Sequence, residues 1–194
     1  MLIFMAGNER KEKGEKSRVR NSAPSVNQWY AVYTKPRSEK QVYKRLVEAG
    51  IETFLPLQKT LRQWSDRRKM IEKPLLSSYI FVKTQAKYFP VVYKTAGVVK
   101  FITFEGRPVP IPQYQIDNLR LLMNSKAQVD ITTEELDKGD MVEVVTGSLR
   151  GLIGELIRIG PKKVVVIRLE KLEQNIIVTI PAAFLKKISK PELF

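Results

Sequence analysis

Lys138-Gly139-Asp140-Met141-Val142-Glu143-Val144-Val145-Thr146-Gly147 opens the last third of the chain, with Gly151 and Gly154 close behind. Its polar and apolar side chains alternate, then two glycine-marked breaks precede another apolar stretch, residues 155–159. The pattern predicts a short strand, two turns and a second strand. Residues 163–169 and 176–180 read as further strands, and an apolar turn runs through Phe184 and Leu185. Short elements at this spacing, in about 50 residues, predict a small all-β barrel over residues 138–190.

Upstream the pattern changes. Residues 125–137 are polar and without periodicity, which predicts a linker. Residues 27–124 predict an α/β domain, a sheet with helices packed against it. Its elements begin with an aromatic, β-branched strand, Gln28-Trp29-Tyr30-Ala31-Val32-Tyr33-Thr34. A helix is predicted over residues 38–49. Ser38 and Gln41 suggest a capping box, Val42, Leu46 and Ala49 share a face, and Gly50 stands at the C-terminal stop. Lys40, Lys44 and Arg45 lie on its outer face. Residues 52–58 read as a strand that Pro56 places at an edge or a bend. Residues 59–73 form a basic stretch with an expected hairpin tip at Asp66-Arg67. Residues 75–82 read as a central strand, 86–94 as a short helix and 98–104 as a strand ending at Glu105-Gly106. Pro112 then opens a helix with Ile116, Leu119, Leu122 and Met123 on one face. Residues 1–26 bury almost nothing and are expected to be a disordered basic tail.

The formal charge of +14 is unevenly spread. Residues 1–26 hold six basic and three acidic side chains, residues 27–124 seventeen and seven, and residues 125–194 eleven and ten. The middle segment therefore carries a net +10 and the last only +1, counted on the same sequence. A solubility surface has no reason to stop at residue 124, so the block points to a polyanion, with nucleic acid the expected partner. Within it Arg62, Arg67, Arg68 and Lys69 surround Trp64, charge for phosphates beside a ring on which a base can stack. An ordinary exposed hairpin is the alternative.

The chain has no cysteine and no histidine. This removes disulfides, cysteine or histidine metal sites, histidine general bases and serine-histidine triads. No carboxylate pair stands at a telling spacing, and Glu170 and Glu173 fit a solvated turn. Gly147, Gly151 and Gly154 lack the Gly-Lys-Ser/Thr ending and following helix of a phosphate loop, so they are expected to be turn glycines. The expectation is a non-enzyme without cofactor or metal. Residues 1–6 are too short for a signal-peptide core and no apolar run reaches membrane-span length, so a cytoplasmic location with no membrane partner is expected.

Laid out in this order, residues 28–188 resemble the NusG family of transcription elongation factors. Trp29-Tyr30-Ala31-Val32-Tyr33-Thr34 is similar to the first strand of that family's N-terminal NGN domain. Pro74-Leu75-Leu76-Ser77-Ser78-Tyr79-Ile80-Phe81-Val82 is similar to its central strand, and Gly97-Val98-Val99-Lys100-Phe101 to the next. Gly139-Asp140 resembles the start of a KOW module. The resemblance implies an antiparallel NGN-like sheet flanked by helices, followed by an SH3-like KOW barrel. It implies a non-catalytic, monomeric factor whose N-terminal domain seats on the clamp helices of the largest RNA polymerase subunit and suppresses pausing or termination. By motif position Tyr33, Leu76 and Tyr79 line the docking depression with Phe81 nearby; plain core is the alternative for these side chains and the favoured one for Phe81. Lys35, Arg37, Lys44 and Arg45 face DNA near the transcription bubble. Family KOW modules dock ribosomal protein S10 or the termination factor Rho. Ser77-Ser78 stands where the family often has Pro-Gly, and residues 147–151 lack the usual aromatic, so no partner residue is carried onto the barrel. The basic N-terminal domain looks like the operon-dedicated paralogues, the UpxY-type antiterminators of capsular polysaccharide operons nearest among them. β-branched runs at residues 164–167 and 176–178 predict that the last module stays β rather than helical. A ribosome-associated RNA-binding KOW protein is the alternative function. The near-neutral charge of residues 125–194 weighs against it.

Overall fold

The computed structural model describes residues 26–63, 68–125, 127, 129–134, 136, 139–159 and 162–189. The expected tail, up to residue 25, lies outside them. The front half runs β1 (Gln28–Thr34), α1 (Glu39–Glu48), β2 (Glu52–Phe54), β3 (Leu57–Gln63), β4 (Arg68–Pro74), β5 (Tyr79–Thr84), α2 (Phe89–Lys94), β6 (Val98–Phe101), β7 (Thr103–Phe104), β8 (Arg107–Pro108), β9 (Pro110–Ile111) and α3 (Gln113–Asn124). The rear half runs β10 (Val129–Thr132), β11 (Asp140–Val144), β12 (Ile153–Ile159), β13 (Lys162–Leu169), β14 (Gln174–Val178) and β15 (Leu185–Lys187).

Strands β2, β5, β1 and β6 lie side by side in that order, all antiparallel, and β9 pairs with β1 at Trp29 and Tyr30. Both central strands are apolar on two faces, as an interior strand with layers on each side must be. Tyr30, Val32, Ile80 and Val82 join Val42 and Leu46 of α1, Val92 of α2 and Phe101 in one core. Trp29, Ala31 and Phe81 point the other way, into a core that includes Ile116, Leu119 and Leu122 of α3. The strand period of two thus divides one sheet between two packing layers.

The second core does not end with α3. It continues through Val142, Leu152, Val165, Ile167, Leu169, Leu172 and Ile176 of the rear half. The rear strands form one antiparallel sheet in the order β10, β14, β13, β12, β11, β15. The β-branched runs at 164–167 and 176–178 lie in β13 and β14, so this half is β, as expected.

Several boundaries differ from the sequence reading. Residues 129–132, expected to be linker, form β10 on β14, with Ile131 opposite Ile176. A four-residue edge strand shows too few alternations to stand out from polar surroundings. Residues 75–78 are a turn rather than the start of the central strand, which begins at Tyr79. The stretch 98–104 divides into β6 and β7, and the hairpin of β7 with β8 turns at Glu105 and Gly106, both at positive φ. Ser38 makes no side-chain cap bond, so the expected capping box is not formed. Gly147 and Gly151 are turn glycines at positive φ, but Gly154 lies inside β12. A Cβ there would meet Val165 Cγ1 and the Val166 carbonyl oxygen at 2.7 Å each, so Gly154 permits close strand approach.

Candidate docking and nucleic-acid surfaces

The antiparallel register sets Tyr33 of β1 opposite both Tyr79 of β5 and Lys100 of β6. Directly opposed residues share a face, so Lys100, Tyr33 and Tyr79 make a row across three strands. The two phenol rings meet edge to face, 5.4 Å between centroids at 67°. Both tyrosines are half-buried and Lys100 is exposed. Burial, then the neighbouring Tyr33 and the charge of Glu173, push the Tyr79 phenol above its ordinary value.

The turn before Tyr79 is held from two directions. Ser78 sits at φ 64, where an L-residue is strained, and is buried. Its N–H donates to Glu39 Oε1 at 2.7 Å, and its carbonyl accepts the Thr34 N–H at 2.8 Å. Glu39, 6% exposed, thus satisfies a donor that the positive-φ turn would otherwise strand. Glu39 was not singled out in the sequence. An acid one residue past a helix start reads simply as favourable to the helix dipole.

Leu76 and Phe81 were expected to line an open depression with Tyr33 and Tyr79. They are 1% and 0% exposed. Both belong to the core that runs into the rear half, with Tyr79 packed against it. The face is closed because α3 and the rear sheet lie over it. The Asn118 side chain donates to the Ile153 carbonyl at 2.6 Å and accepts the Ile153 N–H at 3.0 Å. Gln115 Nε2 donates to the Arg168 carbonyl at 3.2 Å, and Lys171 Nζ lies 4.8 Å over the exposed Phe104 ring. Beside this seam a cavity of about 300 Å³ is lined by Pro110, Tyr114 and Gln115 of the front half and Ile153, Glu155 and Arg168 of the rear. Glu155 Oε2 accepts from Arg168 Nε at 2.9 Å there, so the paired charges already satisfy one another.

The expected nucleic-acid residues separate into groups. Lys35 and Arg37 are exposed on the turn after β1 and have no acidic partner among the described residues. Arg37 stands at φ 62. Arg45 is committed differently, donating to the Ala96 carbonyl at 2.6 Å and so pinning α1 to the turn before β6. Lys35 N–H donates to the Gly97 carbonyl of that turn at 2.9 Å. Gly97 is at φ 98, and a Cβ there would lie 2.6 Å from Val42 Cγ2. Lys44 reaches Glu48 at 3.9 Å on the exposed helix face, a weak pair. Lys94 and Lys100, which the sequence reading passed over, are exposed next to the same turn. Arg62, Arg68 and Lys69 lie in the β3–β4 hairpin, their side chains outside the described residues, as are Trp64 and Arg67 altogether.

Among the described residues no helix is long and apolar enough to cross a membrane. A family model described as NusG, transcription termination factor, matches residues 27–120. Curated relatives named transcription termination/antitermination protein NusG, from Streptococcus pyogenes serotypes M1 and M3, are 23% identical over 149 residues, covering 70% of this chain and 83% of theirs. Among solved structures, one titled for the domain interaction in Thermotoga maritima NusG is 20% identical and covers 84% of this chain and 98% of its own, with a TM-score of 0.46. A structure of the MjSpt4:Spt5 complex is also 20% identical, covers 84% of this chain and 99% of its own, and has a TM-score of 0.30. The match over residues 27–120 and the likeness to these curated relatives support a NusG-family factor.

Proposed function

We propose that the protein is a transcription elongation and antitermination factor whose front half docks on the clamp helices of the largest RNA polymerase subunit. The carrying observation is the half-buried, edge-to-face pair Tyr33 and Tyr79 at the open margin of an otherwise sealed apolar face. A phenol pair of this kind offers apolar area with hydroxyls that stay wet, the composition favoured at docking surfaces. Leu76 and Phe81 complete the patch once the rear half moves aside. Docking therefore selects an open arrangement over the closed one described above. Residues 27–124 serve as the docking domain, 138–190 as an SH3-like KOW module for helpers such as ribosomal protein S10 or Rho.

Lys35 and Arg37 supply the cationic margin toward DNA near the transcription bubble, and a net charge of +10 over residues 27–124 supports that placement. The basic front half further supports dedication to particular operons, those for surface polysaccharides foremost. The protein acts by position and charge, with no catalytic step. A transcription assay on a template carrying a terminator tests this directly. The expected result is increased read-through with the protein present, and unchanged or reduced read-through overturns the antitermination assignment.

A further inference from the structure

The segment that joins the two halves is fastened along most of its described length. Ser125 Oγ donates to the Leu122 carbonyl at 3.0 Å and accepts the Ala127 N–H at 3.2 Å, which ties the start of the segment to the end of α3. β10 then pairs with β14, from Val129 opposite Val178 to Thr132 opposite Asn175. Beyond it Thr132 Oγ1 accepts the Glu134 N–H at 3.0 Å, and Asn175 Nδ2 donates to the Glu134 carbonyl at 2.9 Å. Leu136 packs with Ile177 against Ile157, Val164 and Val166. From Val129 onward the segment is therefore part of the rear half, and only residues 125–128 lie between α3 and β10.

β10 is also the element most easily given up. It stands at the margin of its sheet with β14 as its one strand neighbour among the described residues, and Asp130 and Ile131 are exposed. A short edge strand with few buried contacts opens at lower cost than the interior of a sheet. The difference in reach is large. Four residues span at most about 14 Å, whereas residues 125–139, freed together, span up to about 50 Å.

We propose that β10 is a releasable strap that sets how far the rear half can move. While it is paired with β14, the rear half stays within about 14 Å of the end of α3. A short tether keeps the two faces of the seam at high effective concentration, so the paired strap favours the contact of Asn118 with Ile153. Separation then has two steps: the seam parts on the short tether, and peeling of β10 gives the rear half the reach of the whole linker. The strap depends on β10, β14 and the tether alone, so it operates whatever surface the front half engages.

The test places one insertion of eight glycine and serine residues at either of two points in the full chain. Between Ala127 and Gln128 it lengthens the tether from four residues to twelve whether or not β10 is paired. Between Asp137 and Lys138 it lies beyond the strap and lengthens nothing while β10 holds. The Ile153 N–H donates to Asn118 across the seam, so its hydrogen exchange reads the opening. The first insertion is expected to speed that exchange about fivefold, the loop-entropy effect of a threefold longer tether. The second is expected to leave it unchanged, with the amide of buried Val165 in β13 unaffected by either. In an Ile131→Asp, Thr132→Gly chain, where β10 no longer pairs, the two insertions are expected to act alike. Equal acceleration by both insertions with β10 intact, acceleration by the second alone, or none by either overturns the proposal. So does a difference between them that persists in the double variant. A chain that shows the contrast but does not bind core RNA polymerase keeps the strap and removes the docking function.

Discussion

The amide of Asn118 pairs with the backbone of Ile153 in both directions, donating at 2.6 Å and accepting at 3.0 Å. Asn118 is 2% exposed, so these bonds form out of water, where an unmade partner is expensive. They lock α3 of the front half to the first residue of β12. The seam is therefore specific in register as well as apolar.

Replacing Asn118 by alanine strands the Ile153 N–H and carbonyl at a half-buried position. The expected loss is about 1–3 kcal/mol of stability for the closed arrangement. Hydrogen exchange on the full chain checks it, with faster exchange at Ile153 and along β12 as the expected outcome. Unchanged protection there contradicts a latch at Asn118.

Glu39 predicts a contrast between two substitutions. Glu39→Ala leaves the Ser78 N–H without its acceptor in a strained turn and should cost about 1–3 kcal/mol in denaturant unfolding. Glu39→Gln keeps an oxygen acceptor and should cost clearly less. Equal losses would mean that the charge, not the acceptor, matters.

The Tyr79 phenol, raised from 10.0, should titrate late in an ultraviolet absorbance titration. A raised folded value means that its stabilising contribution is complete below the ordinary phenol value and is lost as pH climbs through the folded one. The closed chain should therefore weaken only in the strongly alkaline range. Tyr30, also raised by burial, contributes a second late phenol that Tyr79→Phe leaves in place. If Tyr79→Phe leaves the late phase at full amplitude, the assignment fails.

On the cationic margin, Arg37→Glu should lower affinity for a bubble-form DNA and reduce the salt slope by about one. Lys44→Glu should act more weakly, because Glu48 already neutralises that lysine in part. Arg45→Gln should instead loosen the turn at Ala96 and lower stability. A larger binding defect from Lys44→Glu than from Arg37→Glu would reverse the assignment of the two residues.

Much of the fold was legible because its elements announce themselves in period. Val42 and Leu46 mark the buried side of α1, and Ile116, Leu119 and Leu122 that of α3. The two-faced apolar strands β1 and β5 read as interior for the same reason. The closure of the docking face was not legible. Leu76 and Phe81 are as apolar as an exposed docking patch requires, and only the placement of the rear half decides whether they are covered. A signal did exist on α3, where Gln115 and Asn118 sit among the buried apolar positions and are themselves buried. Polar side chains on the inner face of a helix imply partners beyond its own layer. The contact of Arg45 was hidden in the same way, since a cation on an outer helix face looks free until the turn at Ala96 is seen against it.

The most direct test of the central claim is size-exclusion co-elution of the full chain with core RNA polymerase, comparing the unaltered protein with Tyr33→Glu and Tyr79→Glu. The account predicts co-elution of the unaltered chain and its loss in both variants, with circular dichroism showing each still folded. A folded Tyr79→Glu chain that travels with the polymerase as well as the unaltered protein would contradict it.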